Sequence, residues 1–197
     1  MPRLPANKLS DMGYIWVVAD KLFRLGARPP VVRSLCPIGK KTAIRLYQTI
    51  YQQSPKQGLL PYDPYWIVRS SVINIHASIF LGLFQDFTRQ QNQDGCPAET
   101  FIAAYELYCR VVAHNPHPSK LEAGVTQAIL LDINRAWQLS GQLRAGEIGL
   151  VICGKCQARH VVLTKMPKPF QQCPICEVWA DKSGRRRWVT VNARKIT

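Results

Sequence analysis

Four cysteines fall into two pairs, Cys153-Gly-Lys-Cys156 and Cys173-Pro-Ile-Cys176, with sixteen residues between them. A pair spaced in this way brackets a tight knuckle, so both thiolates reach one ion while nearby backbone N–H groups bond to the sulfurs. Two knuckles close a tetrahedral shell with no open position, the arrangement of a structural zinc site holding one Zn²⁺ per chain. Four thiolates around a divalent ion leave a formal charge of about −2, and Lys155, Lys165 and Lys168 lie close enough in sequence to offset it. Rubredoxin-type iron takes the same ligands and remains an alternative at this stage. Paired disulfides suit an oxidising compartment, but Met1–Ser10 has no apolar run of the secretory kind, which predicts a cytoplasmic protein. A thioredoxin-like redox motif would need a βαβ setting, and haem attachment would need His where Gln157 stands. His160 could replace a cysteine as ligand, although four thiolates already fill the shell. Cys36, Cys96 and Cys109 have no pair spacing and read as small buried hydrophobes. His76, within an apolar helical run, reads as a satisfied core histidine, and His114 and His117 fall in a Pro-rich turn and read as exposed.

The second chemistry is cationic. The chain has 26 Lys and Arg against 12 Asp and Glu, a net +14, which turns attention to polyanionic partners. That charge is unevenly spread. Residues 1–60 and 151–197 each hold ten basic and two acidic side chains, whereas 61–150 holds six basic and eight acidic, so two cationic ends flank a mildly acidic middle. In the first of these ends Lys41, Arg45, Gln48 and Gln52 recur at spacings of four, three and four, which places them on one face of a helix. Ala43, Ile44, Tyr47, Ile50 and Tyr51 form the opposite, inward face. Lys40, Lys41 and Thr42 occupy the first turn, where free N–H groups and the helix dipole also favour phosphate. Such a helix suits the major groove, where Arg and Gln read base edges. Arg28 and Arg33 ahead of it, and Lys155, Lys168 and Arg185-Arg186-Arg187 around the cysteine unit, are the further candidate contacts to nucleic acid. A solvated polar face is the plain alternative for the helix, and an unstructured tail for the three arginines. No carboxylate cluster or open metal position points to catalysis, so an enzyme is not expected.

Positioning these groups requires a mainly helical chain ending in a small cysteine-bearing unit. Residues 1–13, with two prolines and no apolar period, read as a loose arm. A helical part spans residues 14–146, in which residues 14–53 carry three helices with the lengths and close turns of a helix-turn-helix: Tyr14–Leu25, a short one with Pro29-Pro30 in its first turn through Leu35, and Lys40–Gln53. The Pro/Gly-rich residues 54–64 form a loop, and residues 65–146 hold helical runs at Tyr65–Gln91, Ala98–Ala113 and Lys120–Leu143, offering a surface for a partner. Residues 147–197 form a zinc-ribbon-like module with β-prone runs at Ile148–Ile152, His160–Leu163 and Trp188–Val191, then a basic tail. The longest charge-free apolar stretch, Ser70–Gln85, is interrupted by Asn74, His76 and Ser78 and is shorter than the ~20 residues of a membrane-spanning helix. No membrane association is expected.

The segments Leu25-Gly-Ala-Arg28, Ile44-Arg-Leu-Tyr47, Gly58-Leu-Leu-Pro61, Asn74-Ile-His-Ala-Ser78 and Arg135-Ala-Trp-Gln-Leu139, with the two cysteine pairs, resemble the FlhC family of bacterial flagellar transcriptional activator subunits. The resemblance covers roughly residues 14–180 and does not extend position by position to Arg185–Arg187. It implies a non-enzymatic subunit that binds double-stranded promoter DNA. It further implies FlhD-type partners in a heterohexamer that activates flagellar operons through RNA polymerase. It also implies zinc on Cys153, Cys156, Cys173 and Cys176. A zinc-ribbon RNA-binding protein is the competing expectation, in which Phe170, Trp179 and Trp188 would stack on bases.

Overall fold

The computed structural model describes residues 6–60, 62–90, 97–114, 131–165 and 172–178. Seven α-helices, one 3₁₀ turn and a two-stranded hairpin occur among them, in the order α1 Ala6–Arg24, α2 Pro29–Leu35, α3 Lys40–Tyr51, the 3₁₀ turn Pro64–Arg69, α4 Ser71–Gln90, α5 Pro97–His114, α6 Ile133–Arg144, β1 Ile148–Ile152, β2 Arg159–Leu163 and α7 Pro174–Val178. The architecture is mainly helical, with the cysteine cluster carried by the C-terminal hairpin and α7.

Three helices differ from the sequence expectation. The first begins at Ala6, so residues 6–13 of the expected loose arm are helical, and residues 1–5 lie outside the described residues. No proline stands between residue 5 and Gly26, and the backbone hydrogen bonds propagate toward the N-terminus without a breaker. The run expected from Tyr65 splits in two. Asp63 caps the 3₁₀ turn by accepting the Tyr65 N–H, and Ser70 is extended (φ −152°, ψ 130°), which ends the turn before α4 starts. The last long helix starts at Ile133, where the Asp132 carboxylate accepts the N–H groups of Asn134 and Arg135. That cap fixes the helix start, so residues 131–132 are not helical as expected. Residues 120–130 and the strand expected at 188–191 lie outside the described residues.

Turn chemistry sets the other boundaries. Gly26 (φ 92°) closes α1: its N–H is donated to the Phe23 carbonyl and that of Ala27 to Leu22, the paired bonds of a Schellman cap. Gly146 (φ 70°) does the same after α6, with bonds to Leu143 and from Glu147 to Gln142, and β1 begins at once.

The core is continuous from α1 to the hairpin. Leu22 and Phe23 of α1, Val31 and Val32 of α2, Phe80 and Leu81 of α4, Phe101 and Tyr108 of α5, Leu139 of α6, and Ile148, Val161 and Leu163 of the hairpin form one buried cluster. Phe80 is its hub, meeting Phe101, Tyr105 and Tyr108 edge-on at 5.9–6.2 Å between ring centroids. The cysteine unit is therefore built onto the helical part, and the separation into modules read from the sequence does not extend to the core. His76 is half-buried and bonds Tyr108 Oη through Nδ1 at 2.8 Å, as a core histidine should. Cys36 is buried and Cys109 half-buried, while Cys96, His117 and the side chain of His114 lie outside what is described.

Candidate metal centre and nucleic-acid interface

The hairpin is antiparallel, pairing Ile148 with Leu163 through to Ile152 with Arg159. Its tip is the first knuckle. The Cys153 N–H is donated to the Ala158 carbonyl, the Gln157 N–H to the Cys153 carbonyl, and the Lys155 N–H to the Cys153 sulfur at 3.4 Å. Gln157 takes up a left-handed conformation (φ 60°) to close the turn. The second knuckle is the start of α7, where the Glu177 N–H bonds the Cys173 carbonyl and buried Pro174 fixes the first helical position.

These two turns bring all four predicted ligands together: the sulfurs of Cys153, Cys156, Cys173 and Cys176 lie within 4.8 Å of one another. Cys153 and Cys176 are 3.8 Å apart and Cys156 and Cys173 3.5 Å apart. A tetrahedron with metal–sulfur bonds of about 2.3 Å has edges of about 3.8 Å, so the residues fit a four-thiolate metal site. An ion held there would act as a structural cross-link between hairpin and α7. The sulfurs differ electrostatically. Hydrogen bonding from the backbone N–H groups of Cys156 and Lys155 lowers the Cys153 thiol to about 6. Burial raises Cys173, and burial together with the crowding of the other sulfurs pushes Cys176 up to about 12. Cys153 is thus ready to ionise, and Cys173 and Cys176 resist until a cation compensates them.

The cysteine unit is docked by residues to which the sequence alone assigns no role. Along α4, Asn74 and Ser78 lie one turn apart and are buried. Asn74 Nδ2 donates to the Val161 carbonyl at 3.0 Å, and Ser78 Oγ accepts the Val161 N–H at 2.9 Å. One turn further on, Gly82 leaves room for Arg159, whose guanidinium binds both carboxylate oxygens of Asp86 at 2.7 and 2.5 Å. At the start of the helix Ser71 Oγ donates to Glu177 of α7. The signal for the first pair was present, namely two polar side chains four apart on an otherwise apolar face.

The predicted nucleic-acid contacts sort by exposure. On α3, Lys40, Lys41, Arg45 and Gln48 are exposed, Thr42 is partly covered and Ala43 is buried. Gly39 caps the helix without a side-chain bond, and the first turn holds no acidic residue. Lys21, Arg24, Arg69, Arg135 and Arg159 are all paired with carboxylates. None of those cations lies on α2 or α3: among the described residues, Arg33, Lys40, Lys41 and Arg45 are exposed and in no ion pair. Arg28 differs. Its guanidinium donates to the carbonyls of Lys56, Gly58 and Leu59 at 2.6–3.1 Å and so organises the loop after α3. Lys155 is exposed on the first knuckle. Lys168 and Arg185–Arg187 lie outside the described residues. No helix among the described residues is long and apolar enough to cross a membrane.

The family profile described as "Flagellar transcriptional activator (FlhC)" matches residues 9–189. The flagellar transcriptional regulator FlhC of Gallionella capsiferriformans is 32% identical over 159 residues, covering 81% of either chain. The FlhC regulator of Burkholderia lata is 31% identical over 185 residues, which is 93% of this chain and 79% of the relative. That of Verminephrobacter eiseniae is 31% identical over 171 residues, 86% and 84% of the two chains. A match running from α1 past both cysteine knuckles takes in the helices, the hairpin and the thiol cluster together, and the chain belongs to the FlhC family of flagellar transcriptional regulators, which are not enzymes.

Proposed function

We propose that this chain is the sequence-specific DNA-binding subunit of an activator of flagellar operons. It works in the cytoplasm as a hetero-oligomer with FlhD-type subunits and acts on RNA polymerase. The observation that carries the reading is the cationic face of α3, where Lys40, Lys41 and Arg45 stand exposed in no ion pair on a helix with no acidic first turn. Charge left uncompensated on one helix face is suited to a polyanion, and a helix of this kind can enter the major groove. Arg45 and Gln48, on the same face, supply the side chains for base edges, and Arg33, Thr42, Lys155, Lys168 and Arg185–Arg187 supply phosphate contacts. Arg28 serves this surface by holding the loop behind it.

The four-cysteine cluster holds zinc in this reading: a closed thiolate shell is the structural zinc arrangement, and a transcriptional regulator sets the ion no electron-transfer task for which iron would be needed. Elemental analysis giving one zinc per chain supports that assignment, and iron with its visible absorption refutes it. The test of the function is a footprint of the complex, purified with its partner, on a flagellar promoter. Protection of a defined site, weakened by Arg45→Ala and outcompeted by promoter duplex, supports the reading. Equal protection of unrelated duplexes, or preferential competition by single-stranded RNA, overturns it.

A further inference from the structure

His160 is 4% exposed, and neither of its ring nitrogens has a hydrogen-bond partner. A buried polar group left in that condition costs about 1–3 kcal/mol, so its retention needs a reason. Strand alternation supplies the direction. Val161 and Leu163 belong to the helical core, while His160 and Val162 line a cleft of about 550 Å³ on the side of α7. Cys153, Cys173 and Cys176 line the same cleft. So does Glu177, whose carboxylate is already engaged by Ser71. Gln172 also lines the cleft but is exposed, and among the side chains there the sulfurs are the acceptors that carry a formal excess of negative charge once a divalent ion is bound.

We infer that His160 is a positioning residue for the metal, donating a ring N–H to one of the coordinating thiolates of Cys153, Cys173 or Cys176. The inference rests on the reading that the four cysteines hold a metal. His160 is not a fifth ligand, because four sulfurs within 4.8 Å of one another already enclose a tetrahedral centre. An N–H···S bond draws electron density from the thiolate, spreads the charge of the cluster and fixes the orientation of the sulfur. Groups in this outer position commonly change metal retention by about 10–100-fold. Cys153 already receives one such bond from the Lys155 backbone, and His160, on β2 and lining the same cleft, adds a side-chain donor.

The direct test uses the full-length wild-type chain loaded with ¹¹³Cd and labelled with ¹⁵N. A cadmium resonance in the four-thiolate range, with scalar coupling from ¹¹³Cd to an imidazole N–H proton of His160, is the expected result. Absence of the four-thiolate resonance defeats the metal reading itself. A four-thiolate resonance with a His160 ring proton that is uncoupled defeats the inference alone. A second arm measures metal transfer to a competing chelator: His160→Leu should lose metal about 10–100-fold more readily, and His160→Gln, which keeps a donor, should recover much of the loss. Equal retention in the Leu variant and wild type overturns the inference, as does equal loss in both variants. If the Leu variant does not fold, the cadmium coupling in the wild-type chain decides.

Discussion

The backbone N–H of Val161 is donated to the hydroxyl of Ser78 across 2.9 Å, so a helix satisfies the outer edge of β2 where another strand would ordinarily lie. Asn74 completes the match by binding the carbonyl of the same residue. An exposed strand edge invites pairing with other chains, and two side chains on α4 close this one. The same contacts hold the cysteine unit at a fixed position on the core.

Removing that contact exposes its value. Ser78→Ala leaves the Val161 N–H buried without an acceptor, and should lower unfolding stability by about 1–3 kcal/mol. Asn74→Ala should act similarly through the carbonyl, and the double variant should cost less than the two single losses added, since the residues serve one backbone group. Urea denaturation of the three variants checks this.

Acid should weaken a second attachment. The hydrogen bond and charge of Arg159 hold the Asp86 carboxyl below its ordinary value of 3.8. A depressed folded value means the pair stabilises the fold above about pH 3.8 and that this contribution fades as pH falls through the folded value. Both side chains are 41% exposed, so solvent screening limits the effect to about 0.2–1 kcal/mol. Asp86→Asn should lose that amount at neutral pH, and the difference from wild type should shrink as pH falls below 3.8 and through the depressed folded value. A difference that stays constant across the range would contradict the assignment.

Arg28 should be irreplaceable by lysine. Its guanidinium reaches three carbonyls at once, a geometry a single ammonium cannot reproduce. Arg28→Lys should free the loop, and limited trypsin digestion should cut after Lys56 faster in the variant. DNA affinity should fall less than with Arg45→Ala, because the role is structural.

Metal removal should loosen the chain locally. Chelation, or Cys153→Ser, should abolish hydrogen-exchange protection in residues 153–158 and 172–178, since the ion ties the two knuckles together. Protection should persist on α4 and α5, whose packing around Phe80 owes nothing to the sulfurs. Uniform loss across the molecule would show that the metal supports the whole fold.

The four-cysteine cluster was legible in the sequence because its members lie in two local turns, and a local turn is determined by the few residues within it. The exposed face of α3 was legible for a related reason: helical period alone separates Lys41, Arg45 and Gln48 from Ala43. Spacing could not reveal contacts between distant segments. Arg28 reads in the sequence as a candidate nucleic-acid contact, because the carbonyls of Lys56, Gly58 and Leu59 that engage it lie 28–31 residues away. Asn74 and Ser78 looked like interruptions of an apolar helix because their partner lies more than eighty residues away. The start of the last long helix was misread because the apolar period continues ahead of Asp132, whereas the carboxylate cap decides where the backbone turns helical.

The most direct measurement is the salt dependence of promoter binding by the purified complex, wild type against Lys41→Ala with Arg45→Ala. Each phosphate contact contributes a slope of about 0.9 in log affinity against log salt. If Lys41 and Arg45 meet the duplex, the double variant should bind more weakly, with a slope shallower by about one to two, and Arg45→Ala alone should also narrow the preference for promoter over random sequence. An unchanged slope and an unchanged preference would mean that α3 does not face the DNA.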